Sequence, residues 1–341
     1  MEKIRIAFNG FGRIGRNLVR KLISDDRYTI VAINAKTTVE VRAHLFKYDS
    51  VHGQFQGGIS YELDNLIING HKIPNFDRRT PAKLPWEELK VDFVIDSTGK
   101  FTDKHSLEQH IEAGAKNVIV TSPARDVDAT LVYGVNENLY KSKEHRIISA
   151  SSCTTTCLTP LLKILLKAYG IKHGSISTIH SFTMGQALLD SSHYDLRRAR
   201  SATMSIIPTT TGAAKNVGLV IPELEGKLDG IAVRVPVPDV SLLDISLELE
   251  KDTTIEKVLD LFDSESKNKM KGIIDISNEP LVSVDYIGNP HSAVIDSLST
   301  RVINKRFLKL LAWYDNEYGY CCRVLDLLQF LVEKTNPSKP I

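Results

Sequence analysis

Length, composition and charge limit what kind of protein this chain can be. Its 341 residues allow two domains, and a hydrophobic share of 42% with a net charge of +2 indicates an ordinary globular protein with no nucleic-acid partner. No apolar run approaches the ~18 residues of a membrane span, no apolar signal segment opens the chain, and four cysteines are too few for a disulfide framework. We therefore expect a cytoplasmic protein with reduced thiols and no membrane partner.

The first 150 residues alternate short apolar strands with helical stretches. Residues 3–9 predict a buried strand, a glycine turn and a helical stretch follow, and residues 28–33 predict a second strand at the spacing of a βαβ unit. Further strands of the same sheet are predicted at 93–96, 117–120 and 146–148. This alternation predicts a parallel, doubly wound sheet, that is, an N-terminal Rossmann domain of the α/β class.

The pattern changes in the second half of the chain. From about Ser175 the strands lengthen and alternate apolar with polar residues, which predicts a second α/β domain with a mostly antiparallel sheet. We place the boundary near residue 152. Apolar positions at helical spacing from Cys322 to Lys334 predict a C-terminal helix.

The glycine turn after the first strand carries a dinucleotide-binding pattern. Gly10, Gly12 and Gly15 match GxGxxG, in which glycines allow the tight turn, the approach of a pyrophosphate and the packing of helix on strand. The motif alone is weak, and an ordinary glycine turn is the alternative. Its place between a strand and a helix inside a βαβ unit favours the binding function.

The second strand lacks the acidic residue that usually binds the adenine ribose. It ends in Asn34, Ala35 and Lys36, and the nearest carboxylate is Glu40. A missing carboxylate beside a lysine favours a 2′-phosphate, as in NADP. Lys36 as a simple solvated charge is the alternative, so the sequence leaves NAD and NADP both open.

A cysteine and a histidine are candidates for catalysis. Cys153 precedes an apolar helical stretch, so the helix dipole is expected to lower its pKa, although Pro160 leaves the start of that helix open. Cys157 fits a buried apolar position, and no second pair at ligand spacing supports a metal site. His180 is one of ten histidines, and spacing alone does not single it out.

The chain resembles phosphorylating glyceraldehyde-3-phosphate dehydrogenases over nearly its whole length. The motifs that carry the resemblance include NGFGRIGRN, STGKF, SCTTTC, TIHSFT, HYDLRRARSA and AWYDNEYGY. It implies a Rossmann domain, a catalytic domain, and a C-terminal helix that returns to the first domain. The implied division is 1–152 with 317–341 for NAD(P) binding, and 153–316 for catalysis.

The resemblance also implies roles for individual residues. Cys153 would be the nucleophile and His180 its base, oxidising D-glyceraldehyde 3-phosphate to 1,3-bisphosphoglycerate through a thioester. The implied substrate and phosphate ligands are Ser152, Thr154, Thr183, Arg198, Thr211, Gly212 and Arg234. The implied cofactor-binding residues are Gly10, Gly12, Arg13, Ile14, Asn34, Ala35, Lys36, Arg79, Thr98, Gly99, Phe101, Ser122, Ser192, Asn316 and Tyr320.

Some positions depart from the usual family pattern. Thr156 and Gly185 replace polar side chains that relatives carry near the thiol and the substrate phosphate, while Ala35 and Ser192 resemble NADP-using forms. We therefore expect NADP to serve at least as well as NAD. Erythrose-4-phosphate dehydrogenase and a non-catalytic binding protein of the same fold remain alternatives. The resemblance further implies a homotetramer acting in glycolysis or gluconeogenesis.

Overall fold

The computed structural model describes residues 3–335 and divides them into two compact units. The first unit takes in the described residues up to Leu131, Glu137–Ser151 and the chain from Val324 onward; the second comprises Val132–Asn136 and Ser152–Arg323. These units differ from the division drawn from the sequence at residues 132–136, at Ser152 and at residues 317–323, all of which belong to the second unit. No helix in residues 3–335 is long and apolar enough to cross a membrane.

The first unit is built on a sheet of nine strands in the order β3-β4-β5-β2-β1-β6-β7-β9-β8. All neighbours from β5 to β8 are parallel, and β3, β4 and β5 form an antiparallel meander at one edge. Its strands are β1 Ile4–Asn9, β2 Tyr28–Asn34, β3 Ile59–Glu62, β4 Asn65–Ile68, β5 His71–Phe76, β6 Phe93–Asp96, β7 Asn117–Val120, β8 Ala129–Thr130 and β9 Ile147–Ser149; its helices are α1 Arg13–Leu22, α2 Val39–Lys47 and α3 Lys104–Glu112.

The second unit has a sheet of eight strands, mostly antiparallel. The order is β11-β12-β10-β13-β17-β15-β14, with β16 paired to β17, and the parallel pairs are β10 with β12 and β14 with β15. Its strands are β10 Ile171–Ser181, β11 Ile207–Thr210, β12 Leu228–Val235, β13 Ser241–Leu249, β14 Ile274–Ser277, β15 Ala293–Asp296, β16 Arg301–Ile303 and β17 Phe307–Tyr314. The helices are α4 Cys153–Tyr169, α5 Ala213–Val220, α6 Ile255–Lys267 and α7 Tyr318–Thr335, of which α7 continues into the first unit.

Strand burial follows the sheet type in each unit. The central strands of the first sheet are buried on both faces, since β6 and β7 have four buried residues each, as expected between two helical layers. In β13 buried and half-buried residues alternate along all nine positions, because one face packs on the core of α4, α5 and α6. The α/β fold class and both sheet types predicted from the sequence are confirmed.

Candidate active site and cofactor cavity

The glycine turn after β1 is held tightly against the end of β6. Gly10 has φ +101°, and a Cβ there would lie 2.7 Å from the Ser97 carbonyl carbon. A Cβ on Gly15 would lie 2.6 Å from the Gly10 oxygen, whereas one on Gly12 would meet nothing within 4 Å. Two of the three glycines therefore permit close packing of the turn, and Gly12 leaves open space at the start of α1 where a pyrophosphate fits.

A cavity of about 340 Å³ opens beside this turn, with its walls formed by the loops that follow β1, β2, β5 and β6. It is lined by Asn9, Gly10, Phe11, Gly12, Arg16, Asn34, Ala35, Lys36, Thr37, Arg42, Leu45, Arg78, Arg79, Ser97, Thr98, Lys100 and Phe101. Eight residues predicted to bind cofactor are among them: Gly10, Gly12, Asn34, Ala35, Lys36, Arg79, Thr98 and Phe101. A glycine-rich turn together with amide and cationic side chains at the C-terminal ends of parallel strands is the arrangement that binds a dinucleotide.

The other predicted cofactor residues lie elsewhere. Arg13, Ile14, Gly99 and Ser122 are in the first unit but do not line the cavity. The Arg13 side chain binds Asp49, with Nη1 2.5 Å from Oδ2. Ser192, Asn316 and Tyr320 belong to the second unit.

Several lining residues were missed by the sequence argument, including Arg16, Thr37, Arg78 and Lys100. Lys100 could have been predicted from the sequence, because it directly follows the turn Ser97-Thr-Gly at the end of a predicted strand.

Asn34 and the buried Arg42 fix the loops around the cavity. Asn34 donates from Nδ2 to the Arg78 carbonyl at 2.9 Å and accepts from the Arg78 N–H at 2.8 Å. Arg42, only 3% exposed, donates to the carbonyl oxygens of Ala35 and Phe76. The segment after β2 and the segment after β5 are therefore clamped to each other by side chains.

A buried network at the end of β6 fixes the remaining wall. Asp96 accepts from Asn9 Nδ2 at 2.7 Å through Oδ2 and from Thr98 Oγ1 at 2.7 Å through Oδ1. Trp86 Nε1 donates to His110 Nδ1 at 3.0 Å, so the proton of a neutral His110 is on Nε2, which lies 3.2 Å from Asp96 Oδ2. Every polar group of Asp96 is thereby satisfied away from water, and the Thr98 turn is held in place.

In the second unit, Cys153 begins the helix that follows the boundary. Ser152 caps α4 by accepting from the Thr155 N–H at 3.2 Å, and Cys153 is the first helical residue. The Cys153 Sγ lies 3.5 Å from His180 Nε2. The helix runs on through Pro160 to Tyr169, so the proline does not displace its start. Cys157 is fully buried in the core, as predicted.

His180 is positioned by neighbouring strands. It lies in β10 opposite Arg234 of β12, and Arg234 Nη1 donates to His180 Nδ1 at 2.5 Å and to the Ser181 carbonyl at 2.9 Å. Since Nδ1 accepts this bond, the Nε2 of a neutral His180 carries the proton and faces Cys153. With Arg234 displaced, Nδ1 could instead donate to the Ser181 oxygen, which is 2.8 Å away.

Burial dominates the electrostatics of this pair. It lowers the pKa of His180 to about 3, with a further contribution from the charge of Arg234. Burial also raises the pKa of the Cys153 thiol, opposed by Arg234 and by bonds to Thr154. The thiol pKa is therefore raised, not lowered as its place at a helix start led us to expect, because desolvation of the sulfur outweighs the groups that lower it. Both groups are neutral at pH 7.

The predicted phosphate ligands lie on two loops and at two helix starts. Arg198 Nε donates to Thr209 Oγ1 at 2.8 Å, and Thr211 accepts from the Ala213 N–H at 3.2 Å where α5 begins at its N-cap Gly212. Thr183 is exposed, and the Thr154 hydroxyl is 3.0 Å from that of Tyr314. Among the predicted catalytic and phosphate residues, Cys153, His180 and Arg234 form a chain of direct contacts, and the Thr154 hydroxyl joins it 4.0 Å from Cys153 Sγ.

Comparison with known proteins decides the family. Residues 4–104 match the glyceraldehyde 3-phosphate dehydrogenase NAD binding domain, and residues 152–316 match the C-terminal domain of the same enzymes. The chain belongs to the glyceraldehyde-3-phosphate dehydrogenase family. Glyceraldehyde-3-phosphate dehydrogenase 2 of Bacillus subtilis is 50% identical over 332 residues, 97% of this chain and 98% of that protein. The glyceraldehyde-3-phosphate dehydrogenase of Geobacillus stearothermophilus is 48% identical over 331 residues, 97% of this chain and 99% of that protein.

Membership of the glyceraldehyde-3-phosphate dehydrogenase family confirms the enzyme class and the main activity predicted from the sequence. The protein is an oxidoreductase with an NAD-binding domain, so its cofactor is of the NAD(P) class. Relatives named as this enzyme, at 45–50% identity over nearly the full chain, favour that activity over the two alternatives.

Proposed function

We propose that the chain converts D-glyceraldehyde 3-phosphate, inorganic phosphate and NAD(P)+ to 1,3-bisphosphoglycerate and NAD(P)H through a thioester on Cys153. The observation that carries this proposal is the 3.5 Å approach of Cys153 Sγ to His180 Nε2 at the start of α4. Nucleophile and base at hydrogen-bonding distance, with the base oriented by a third group, are what covalent catalysis requires.

In the proposed reaction, the Cys153 sulfur forms a bond to the aldehyde carbon while His180 takes the thiol proton and passes it to the carbonyl oxygen. A nicotinamide, when bound, would supply the hydride acceptor that oxidises the resulting thiohemiacetal to a thioester. His180 then holds the proton released from the hydroxyl. A phosphate oxygen attacks the thioester carbon, and Cys153 departs as a thiolate to give the acyl phosphate.

Arg234 links substrate binding to the state of His180. Its Nη1 holds His180 Nδ1 as an acceptor in the ligand-free protein, an arrangement in which Nε2 carries a proton and cannot take one from the thiol. A substrate phosphate that draws Arg234 away frees Nδ1 to donate to the Ser181 oxygen. Nε2 then becomes the acceptor that a base needs.

The two anion sites are proposed from side chains near this pair. Arg234 and Thr183 would hold the substrate phosphate, and Ser152, Thr154, Thr211 and Gly212 the attacking phosphate, with Arg198 between them. Arginine and hydroxyl groups suit a dianion because each bond is charge-assisted. Gly185 leaves open space beside Thr183, since an added Cβ would meet only the Thr183 hydroxyl, at 3.8 Å.

NADP is proposed to serve at least as well as NAD. Ala35 stands where a carboxylate would repel a 2′-phosphate, and Lys36 lines the same cavity. Ser192 would add a hydroxyl from a neighbouring subunit of the proposed homotetramer. A cytoplasmic location, a place in glycolysis or gluconeogenesis, and cofactor roles for Arg13, Ile14, Gly99, Ser122, Asn316 and Tyr320 belong to the same proposal.

A steady-state assay tests the reaction. The purified protein should reduce NAD(P)+ only when glyceraldehyde 3-phosphate and inorganic phosphate are both present, and Cys153→Ser should abolish turnover while cofactor binding persists. Cys157→Ser, a buried cysteine one turn along α4, is the matched control. Sustained turnover without phosphate would indicate a hydrolytic enzyme, and activity in Cys153→Ser would remove the proposed nucleophile.

The cofactor proposal is tested by kcat/KM for NADP+ and NAD+ in the wild type and in Ala35→Asp. The added carboxylate should lower kcat/KM for NADP+ and leave that for NAD+ equal or higher. A strong wild-type preference for NAD+, unchanged by the substitution, would contradict NADP use.

A further inference from the structure

Four basic residues that line the cofactor cavity have no carboxylate partner in residues 3–335. Lys36, Arg78, Arg79 and Lys100 follow the ends of β2, β5 and β6 and all line the cavity. None of them forms an ion pair with a carboxylate anywhere in residues 3–335, whereas Arg13, beside the same turn, pairs with Asp49. A group of cations in a cavity, none of them ion-paired with a carboxylate, is the electrostatic complement of a multiply charged anion.

Lys36 and Lys100 oppose each other directly. Contact with Lys100 is the largest of the causes that lower the pKa of Lys36, the charges of Lys100 and Arg79 follow, and Asp77 opposes them more weakly. Two ammonium groups side by side repel each other. A dianion between them would turn the repulsion into two attractions.

The backbone holds both lysines where they are. The carbonyl of Ala35, next to Lys36, accepts from the buried Arg42. The Lys100 N–H donates to Thr98 Oγ1 at 3.1 Å, and Thr98 is tied to Asp96. Because the backbone of these loops is anchored independently of any ligand, only the two lysine side chains need to be ordered when an anion binds.

We propose that Lys36 and Lys100 together bind a phosphomonoester dianion on the 2′ position of the cofactor's adenine ribose. Lys100 is then a second determinant of cofactor specificity, beside Lys36. This inference rests on the proposed use of NADP. It assigns the discrimination between NADP and NAD to a pair of lysines from two separate loops. Arg79, which lines the same cavity, would be the third cation near the 2′-phosphate. Lys100 matters as much as Lys36 in this arrangement, because either ammonium alone would be left with an ordinary solvated monodentate contact.

The test measures binding to the full-length protein without turnover. Calorimetry would compare adenosine 2′,5′-bisphosphate with adenosine 5′-monophosphate, which differ only in the 2′-phosphate, and with inorganic phosphate alone. The variants are Lys36→Gln and Lys100→Gln, with Lys116→Gln as control because Lys116 is an exposed lysine of the same unit that pairs with Asp92. Each measurement is made at low and high salt.

The wild type and Lys116→Gln should bind the bisphosphate at least about tenfold more tightly than the monophosphate. Lys36→Gln and Lys100→Gln should each reduce that ratio about fivefold, with the monophosphate affinity unchanged and the ratio falling as salt rises. Neither variant should lower Tm, because each removes a repulsion. A merely structural lysine would lower Tm and both affinities together.

The outcomes separate this inference from the proposal of NADP use. A wild-type preference for the bisphosphate that survives in Lys100→Gln overturns the lysine pair and leaves NADP use standing. Absence of any preference in the wild type overturns both. Binding of inorganic phosphate that depends on Lys100, without preference for the bisphosphate, assigns the cations to free phosphate and overturns the assignment to the cofactor.

Discussion

The chemistry of the candidate active site depends on a pair of groups that are both neutral in the ligand-free protein. Burial lowers the pKa of His180 and raises that of Cys153, so neither is charged at pH 7. A neutral histidine is the protonation state a general base requires, and a thiol becomes nucleophilic as it gives up its proton to that base.

Replacing His180 with asparagine should slow alkylation of Cys153 at pH 7 and reduce turnover by about 10²–10⁴-fold, since the thiol loses the group that accepts its proton. His173→Asn is the matched control, because His173 is an exposed residue of the same strand. The alkylation rate is measured with iodoacetamide and turnover in the steady-state assay. A change within twofold in His180→Asn, or an equal effect in His173→Asn, would exclude His180 as the base.

Residue identities near the thiol could be predicted from the sequence, whereas their electrostatics could not. Motif resemblance selected Cys153, His180 and Arg234, and β10 and β12 bring the last two together in register. The direction of the thiol pKa was predicted wrongly because burial depends on strands and helices distant in the chain. Lys100 was missed because its contact with Lys36 requires the ends of β2 and β6 to lie in the same cavity wall.

At the scale of elements, the turn from β1 into α1 relies on glycines for two different reasons. Gly15→Ala should lower Tm and weaken cofactor binding together, because its Cβ would lie 2.6 Å from the Gly10 oxygen and 2.8 Å from Ser97 Oγ. Gly12→Ala should leave Tm nearly unchanged and weaken cofactor binding alone, since its Cβ meets no protein atom. Thermal denaturation and cofactor titration distinguish the two. Equal losses of Tm in both variants would contradict this division.

The same turn is braced by Asp49 through a pH-dependent contact. Although burial opposes it, hydrogen bonds from the His52 and Val51 N–H groups and from Arg13 lower the pKa of Asp49 from 3.8 to about 2. A lowered carboxyl pKa stabilises the folded state above pH 4, and that stabilisation is lost as pH falls from about 4 to about 2.

Asp49→Asn should therefore reduce the free energy of unfolding by about 1–2 kcal/mol at pH 7, allowing for solvent screening. The difference from the wild type should shrink below pH 4, as followed by urea denaturation at several pH values. Asp26→Asn, at a fully exposed carboxylate paired with Lys3, is the control and should have little effect. A difference that stays constant down to pH 2 would show that the charge of Asp49 is not the cause.

The elements that the sequence predicted are those with strong burial patterns. The central strands β1, β2, β6 and β7 are mostly apolar and almost entirely buried, and were recognisable from their apolar residues. The meander of β3, β4 and β5 was not predicted, because β3 has one half-buried and three exposed residues and carries no alternation. Such edge strands are specified by pairing with their neighbours rather than by a pattern of their own.

At the scale of the whole molecule, the segment 184–206 bears on assembly. It exposes large apolar side chains, which is unusual for a free surface and typical of an interface between subunits. These side chains are Met184, Leu188, Leu189, Tyr194, Leu196, Met204 and Ile206, each more than 65% exposed. Together with the family resemblance, this surface supports the proposed homotetramer.

Light scattering after size-exclusion chromatography should give the mass of a tetramer for the wild type. The double variant Leu188→Asp, Leu189→Asp should dissociate into smaller species, because the charges would be buried on assembly. Leu63→Asp is the control, since Leu63 is an 83% exposed leucine in the turn between β3 and β4. A monomeric wild type, or a tetramer undisturbed by the double variant, would contradict the role of this segment.

The division of the chain into units has a consequence for its biosynthesis. The first unit is completed by the segment from Val324, in which Leu327, Leu328 and Leu331 are buried and Thr335 bonds to Tyr140. This segment leaves the ribosome only after the whole second unit has been made. The nascent first unit therefore waits with an unfilled apolar surface for some 170 further residues of translation. A premature stop just before Val324 would therefore leave the first unit without the segment that completes it, although that unit is made up mostly of the earliest residues to be translated.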